Sequence, residues 1–268
     1  NNTAVGLQAL LDNTTGSNNV ATGMDALANN TTGTENVSVG ANSMLANTTG
    51  SYNTSVGYNA LDANTTANNG TAVGRAALTT NTTGANNTAI GMSALEGNTT
   101  GSESCAVGYR ALTTQTGAGE VNNALGADAL RLTTTGQANN AMGHSALENN
   151  TTASYNTAIG HRSMTSNSTG ATNTAIGAYA LQANTTASEN TAVGDYALSA
   201  NTTGTGNCAL GRQALNNNTT ASNNTGMGLY ALYANSTGSN NTAVGREASI
   251  ANTTGQRNAS FGKSALGA

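Results

Sequence analysis

Two apolar positions recur along the chain on a fixed beat. One stands immediately before a glycine, as in Val5, Ile90, Met142, Leu210 and Phe261, and is apolar in every cycle except at Thr22. The other stands four residues after that glycine, where Leu occurs thirteen times, Met twice (Met44, Met164) and Ser249 once. The glycines run from Gly6 to Gly262; fourteen of their fifteen intervals are 17 residues, and the interval from Gly108 to Gly126 is 18. A fixed period of this length predicts a solenoid in which each repeat is one coil stacked on its neighbour. The cycle reads Gly-x-x-Ala-Leu-x-x-Asn-Thr-Thr-Gly-x-x-Asn-Thr-Ala-Val. Two such positions in seventeen make no 3.6-residue period, and Asn-Thr-Thr-Gly breaks a helix. Short strands joined by Asn/Gly corners are predicted instead. The expected fold is all-β, a parallel β-solenoid (β-roll) of about sixteen 17-residue coils stacked ~4.8 Å apart. Residues 1–268 read as a single repeat array. Both ends fall inside a repeat, so the array reads as part of a longer chain. The extra residue lies in a corner, Gln115 to Val121, where a solenoid tolerates insertion.

Neighbours of the apolar columns carry a second signal. The position before the Val column is Ala in twelve coils, with Ser38, Ser55, Ser260 and Gly226 in the others; the position before the Leu column is Ala in fourteen, with Ser43 and Ser163. Adjacent side chains of a strand point to opposite faces. If Val and Leu line the interior, the alanines face outward, where size is free to vary unless something packs against them. Their fixed size predicts a homo-oligomer of parallel chains, most simply a homotrimer, because identical repeats offer a continuous self-complementary stripe. The contacts expected are Ala4, Ala9, Ala72, Ala77, Ala89, Ala94, Ala158, Ala175, Ala180, Ala192 and Ala197. The competing explanation is a sharp local bend that keeps alanine small. The invariant glycine is expected at a positive φ or a close approach. A second glycine column admits Ala67, Ala153, Ala187 and Ala221, so no left-handed backbone is expected there. Asn fills two corner columns, as at Asn13 and Asn19, and is expected to form hydrogen-bonded ladders along the stack.

Composition narrows the partners. The chain has no Pro or Trp, one Phe, 7% charged residues and a net charge of −4. That charge is too small and scattered for a nucleic acid or an anionic membrane as partner, and no apolar run reaches the length of a membrane span. All 20 charged residues, the 8 Tyr and both His lie in variable columns or in the inserted corner. Among them Tyr179, Tyr196, Tyr230, Arg162 and Arg212 are the candidates for contacting a cell-surface glycan or receptor, since aromatics and Arg favour interfaces. The competing reading is a solvated face that keeps arrays apart.

No nucleophile–base pair, phosphate-cradling loop or Asp-rich calcium loop recurs, so no catalytic or cofactor-binding residue is assigned and no enzyme activity is expected. His144 and His161 occupy one column in adjacent coils, but no Cys or carboxylate completes a ligand set, so no metal is expected. Cys105 and Cys208 share the column that usually holds Thr, six coils apart, too far for an intrachain disulfide in a straight stack. Thirteen corners read Asn-Thr-Thr or Asn-Ser-Thr, formal N-glycosylation tripeptides. The same corners predict a regular outward Thr ladder, which raises ice binding as a rival function.

Segments such as Thr71-Ala72-Val73-Gly74, Thr88-Ala89-Ile90-Gly91 and Thr157-Ala158-Ile159-Gly160, each followed two residues later by Ala-Leu or Ser-Met, resemble two groups of repeats. One is the YadA-like head repeat of trimeric autotransporter adhesins. The other is the repeat shaft of phage tail fibres and bacterial surface fibres, which the chain resembles more closely and over nearly every coil. The resemblance implies a left-handed, trimeric β-roll on a cell surface or virion. Three functions follow: a structural fibre or shaft, an adhesin head, and an ice-binding solenoid.

Overall fold

A computed structural model of the chain describes residues 1–117 and 121–267. The inserted corner is thus described at Gln115–Gly117 and Val121, while residues 118–120 lie outside the described residues. The chain forms two compact units, Asn1–Gln137 and Ala138–Ala268. Each is a parallel β-solenoid. Among the described residues each unit holds eight strands of three residues and no helix. The first unit carries β1 (Thr3–Val5), β2 (Val20–Thr22), β3 (Val37–Val39), β4 (Thr54–Val56), β5 (Thr71–Val73), β6 (Thr88–Ile90), β7 (Cys105–Val107) and β8 (Asn123–Leu125). The second carries β9 (Asn140–Met142), β10 (Thr157–Ile159), β11 (Thr174–Ile176), β12 (Thr191–Val193), β13 (Cys208–Leu210), β14 (Thr225–Met227), β15 (Thr242–Val244) and β16 (Ala259–Phe261). Within a unit each strand pairs with the next in parallel and without slippage, Ala72 against Ala89 and Ala175 against Ala192. The extra residue before β8 is absorbed in the corner, because Cys105 still pairs with Asn123 and Ala106 with Ala124.

The interior is built the other way round from the alternation argument. In the strands the alanine column faces inward and the Val column faces out. Ala72, Ala89, Ala158, Ala175 and Ala192 are fully buried within their own chain, whereas Ile90 and Ile176 expose more than a third of their surface. The reason is the width of the coil. A Cβ added to Gly226, which stands in the alanine column, would meet Leu215 Cγ at 3.2 Å and the Ala231 carbonyl oxygen of the opposite wall at 3.2 Å. Serine in that column spans the gap with one hydrogen bond: Ser38 Oγ donates to the Ser43 carbonyl at 2.7 Å, and Ser55 Oγ to the Ala60 carbonyl at 2.8 Å. A layer this thin holds a methyl group or a serine hydroxymethyl that bonds across it. The size of alanine is set inside one chain.

Opposite the strand runs a turn arm in which both Ala and Leu are interior. Ala77, Ala94, Ala180 and Ala197 are fully buried, as are Leu78, Leu95, Leu181 and Leu198. Strand alternation does not apply because every second residue of the arm is left-handed, with φ of 56° at Ala76 and 54° at Leu78. That backbone costs a non-glycine residue about 1–2 kcal/mol, and burial of the leucine side chain, worth about 1.5–3 kcal/mol, offsets it. The arm keeps the coil-to-coil ladder: Leu27 N–H donates to Ser43 O at 3.0 Å and Asn29 N–H to Leu45 O at 3.2 Å. Of the proposed oligomer contacts, Ala4 and Ala9 keep some exposure in the first coil, and the other nine are fully buried. A fully buried side chain has no surface for a partner chain.

The glycine that sets the beat takes φ between 114° and 142°. A Cβ on Gly74 would sit 2.6 Å from the Gly91 carbonyl oxygen of the next coil, so both conformation and space exclude a side chain. The second glycine column has ordinary φ, as its alanines predict. It is nonetheless tight: a Cβ on Gly170 would fall against the carbonyl oxygen of Ala187. Wherever alanine occupies this column, at Ala67, Ala153, Ala187 and Ala221, both neighbouring coils carry glycine.

The two Asn columns are buried ladders. At the first, Asn47 Nδ2 donates to Asn30 Oδ1 at 2.8 Å and to the Gly50 carbonyl at 3.0 Å. At the second, Asn36 N–H donates to Asn19 Oδ1 at 3.0 Å while Asn36 Nδ2 donates to Gly50 O at 2.8 Å. Buried amides this well satisfied reinforce the stack, whereas an unsatisfied one, as at Asn224 Nδ2, costs ~1–3 kcal/mol. Before the 18-residue interval closes, Gln115 replaces Asn in the first ladder and Ser104 in the second. The longer side chain reaches across: Gln115 Nε2 donates to Ser104 Oγ at 3.0 Å, and Gln115 Oε1 accepts from Asn122 Nδ2 at 3.0 Å.

Candidate interaction surfaces

Three sets of side chains face solvent: the outer side of the strands, the two positions after the beat glycine, and the corner threonines. In the strands, residues i and i+2 share a face, so the Thr-type and Val-type columns point out together. Ile159 and Ile176 on β10 and β11 are 36% and 37% exposed, and Val56 on β4 is 37% exposed. Cys105 and Cys208 are free thiols in the Thr-type column, half-buried.

The positions after the glycine carry the variable residues. The turn places them at the surface, and the second of the two is left-handed, 58° at Tyr179 and 56° at Tyr196. In the second unit four successive coils bring rings together. His144 and His161 stack with centroids 5.3 Å apart and planes 25° apart. His161 meets Tyr179 edge-on at 5.3 Å, and Tyr179 stacks on Tyr196 at 4.7 Å and 21°. Tyr230 is separated from Tyr196 by Gln213 in the same column and makes its ring contact with Tyr233, edge-on at 5.5 Å. Arg212 lies 3.6 Å from Asp195 across adjacent coils, and Arg162 is exposed. The structure therefore brings Tyr179 and Tyr196 together and leaves Tyr230 apart. Stacking turns the ring faces of the pair toward each other, as in aromatic ladders of cross-β assemblies. Faces are what a sugar ring packs on, and the stack takes one face of each ring.

Two imidazoles form the nearest approach to a ligand set, and among the described residues no group of three or more His, Cys, Asp or Glu comes together. In the first unit Asp128 lies between Arg110 (Nε to Oδ1 3.1 Å) and Arg131 (3.6 Å), a partly exposed cluster worth little in water. Asp62 differs. Its Oδ1 is buried without a hydrogen-bond partner, and burial pushes its pKa above the ordinary carboxylate value. Among the described residues no helix is long and apolar enough to cross a membrane.

At the corners the first Thr is half-buried and its hydroxyl donates to the next coil, Thr31 Oγ1 to Thr48 O at 2.9 Å and Thr48 Oγ1 to Thr65 O at 3.0 Å. The second, as at Thr32, Thr49, Thr66 and Thr83, is exposed wherever it occurs among the described residues and forms the outward ladder the sequence predicts. The corner Asn of the glycosylation tripeptides is closed: Asn184 is fully buried, and its Nδ2 donates to both Asn167 Oδ1 and Ala187 O.

Sequence reasoning missed the outward Val column, although a signal was present. Serine enters an arm column and the small column of the strand together: Ser43 Oγ lies 2.7 Å from Ser55 Oγ, and Ser249 Oγ, in the Leu column, lies 2.8 Å from Ser260 Oγ. Joint appearance of polar residues in two columns marks columns that face each other across an interior. No protein-family model matches the chain, and no curated protein matches it significantly.

Proposed function

We propose that the chain is a structural element of an extracellular fibre or shaft, a stiff array that forms a filament or holds an adhesive end away from a cell or virion. The observation that carries this reading is the in-register ladder, repeated coil after coil in the strand and the turn arm and in most coils in two buried Asn columns. A pull along the stack loads all four sets of bonds at once, so extension requires breaking them together. Resemblance to fibre shafts and adhesin heads adds left-handed winding, three parallel chains and a surface location. Electron microscopy of the native assembly tests the proposal: filaments of uniform width are expected, and discrete globular particles would sink it.

Ice binding is a second reading, favoured by the exposed second corner threonine, whose register is fixed by the hydroxyl ladder of the first. Thermal hysteresis that disappears when Thr49, Thr66 and Thr83 are replaced by Lys would establish it. An adhesin head that binds a glycan or receptor through Tyr179, Tyr196, Tyr230, Arg162 and Arg212 is the weaker alternative, since stacking covers one face of each ring of the pair and leaves Tyr230 apart.

A further inference from the structure

The outer strand face has properties that a solvated surface does not need. Its Val-type column is apolar in fifteen of sixteen coils, while size ranges from Val through Ile, Leu and Met to Phe. Polarity is held and shape varies, as in a face that packs against protein side chains; matching a crystal lattice would hold shape as well. Among the described residues no strand carries a charged residue, although the chain has 20 of them. Depletion of charge is the compositional mark of an interface core. We propose that this face docks a second copy of this chain, strand face to strand face, with the copies parallel and in register.

The occupant follows from period and area. Every coil offers the same Thr-x-Val step, and a partner that meets each step must repeat at the same rise, which another copy does by construction. Three residues at ~3.3 Å by eight strands at ~4.8 Å give a face of ~380 Å² in each unit. The face of each unit is thus about half of the ~800 Å² per partner of a standard stable interface. The Ala columns, closed inside the coil, are replaced in this role by Val56, Val73, Ile90, Ile159, Ile176 and Val193. The inference rests on the fibre reading only in taking the second copy to be another chain of the same fibre.

The test is light scattering of the full chain over a range of concentrations, with far-UV circular dichroism to confirm folding. Wild type is expected as a multimer. Ile159→Asp with Ile176→Asp would place unpaired carboxylates in the contact and is expected to weaken association by about 100-fold or more. Ile159→Thr with Ile176→Thr, which repeats the natural choice at Thr22, keeps the fold and is expected to weaken it about tenfold. Thr186→Asp with Thr203→Asp, on the exposed corner file of the same unit, should leave association unchanged. A wild-type chain that stays monomeric overturns the proposal, and thermal hysteresis or glycan binding lost in the strand variants would then name the true occupant of the face. Strand variants that associate like wild type also overturn it, while filaments in micrographs would keep the fibre reading intact. A short bis-maleimide reads the register: linkage of Cys105 to Cys105 and Cys208 to Cys208 is expected, and Cys105-to-Cys208 linkage overturns the parallel arrangement.

Discussion

The strand and the turn arm of a coil both bury apolar side chains, and they reach that end by different backbones. In the strand the period of two holds, so one residue in three points inward, and the thin interior admits only alanine or serine there. In the arm, left-handed residues such as Leu147 (φ 51°) break the period, so consecutive Ala146 and Leu147 are both fully buried. The strand contributes ladder bonds and little apolar volume. The arm contributes the volume and accepts conformational strain to do so. Each wall is therefore sensitive to the opposite change: the arm to loss of bulk, the strand to its gain.

This contrast can be broken from either side. The largest effect is expected in the arm, where Leu147→Ala should destabilise its own and adjacent coils by about 2–5 kcal/mol, read as lost hydrogen-exchange protection. On the strand wall Ala192→Val adds bulk where the gap is one methyl wide, and about 1–3 kcal/mol should be lost; no loss would mean that the wall can move. Relief of arm strain runs the other way. Ser93, at φ 57°, replaced by Gly should raise stability by about 0.5–1 kcal/mol, as the natural Gly206 at φ 65° shows such backbone to be met by glycine elsewhere in the coil. The smallest effect concerns Asp62, which follows Leu61 on the arm. Its folded pKa is raised by burial, so the folded chain holds this proton more tightly than the unfolded one. The stability it supports is present below the unfolded pKa and is lost as pH rises through the folded value. Asp62→Asn should therefore raise the midpoint of thermal unfolding at pH 7 and change it least at pH 3.

The parallel solenoid, its period, its glycine geometry and its Asn ladders were all legible, because each depends on a local rule acting identically in every coil. Positive φ at Gly74 and hydrogen-bonded Asn30 and Asn47 needed no knowledge of the interior. Facing was not legible in the same way. Alternation relates Ala72 to Val73 but leaves open which of them is inside, and hydrophobicity favours the larger side chain. The decision belongs to the distance between walls, set by Leu side chains from the arm, a non-local quantity. The arm was misread for a separate reason: left-handed leucines are costly enough that no propensity argument places them. The variable columns were legible as surface. The mutual stacking of Tyr179 and Tyr196 was not, because it depends on ring rotation about a column.

The second glycine column carries a consequence for how such a gene can grow. Between Ala153 and Gly238 the column alternates strictly, alanine then glycine, so a pair of coils can be copied without placing two alanines in adjacent coils. Duplication of one alanine-bearing coil would set a Cβ where Gly170 and Gly204 now have none. Gain of one glycine-bearing coil only sets glycine beside glycine, as Gly84 and Gly101 already stand, which predicts that natural length variants differing by a single coil gain a glycine-bearing coil or lose an alanine-bearing one. Reading this column across such variants is enough to check it.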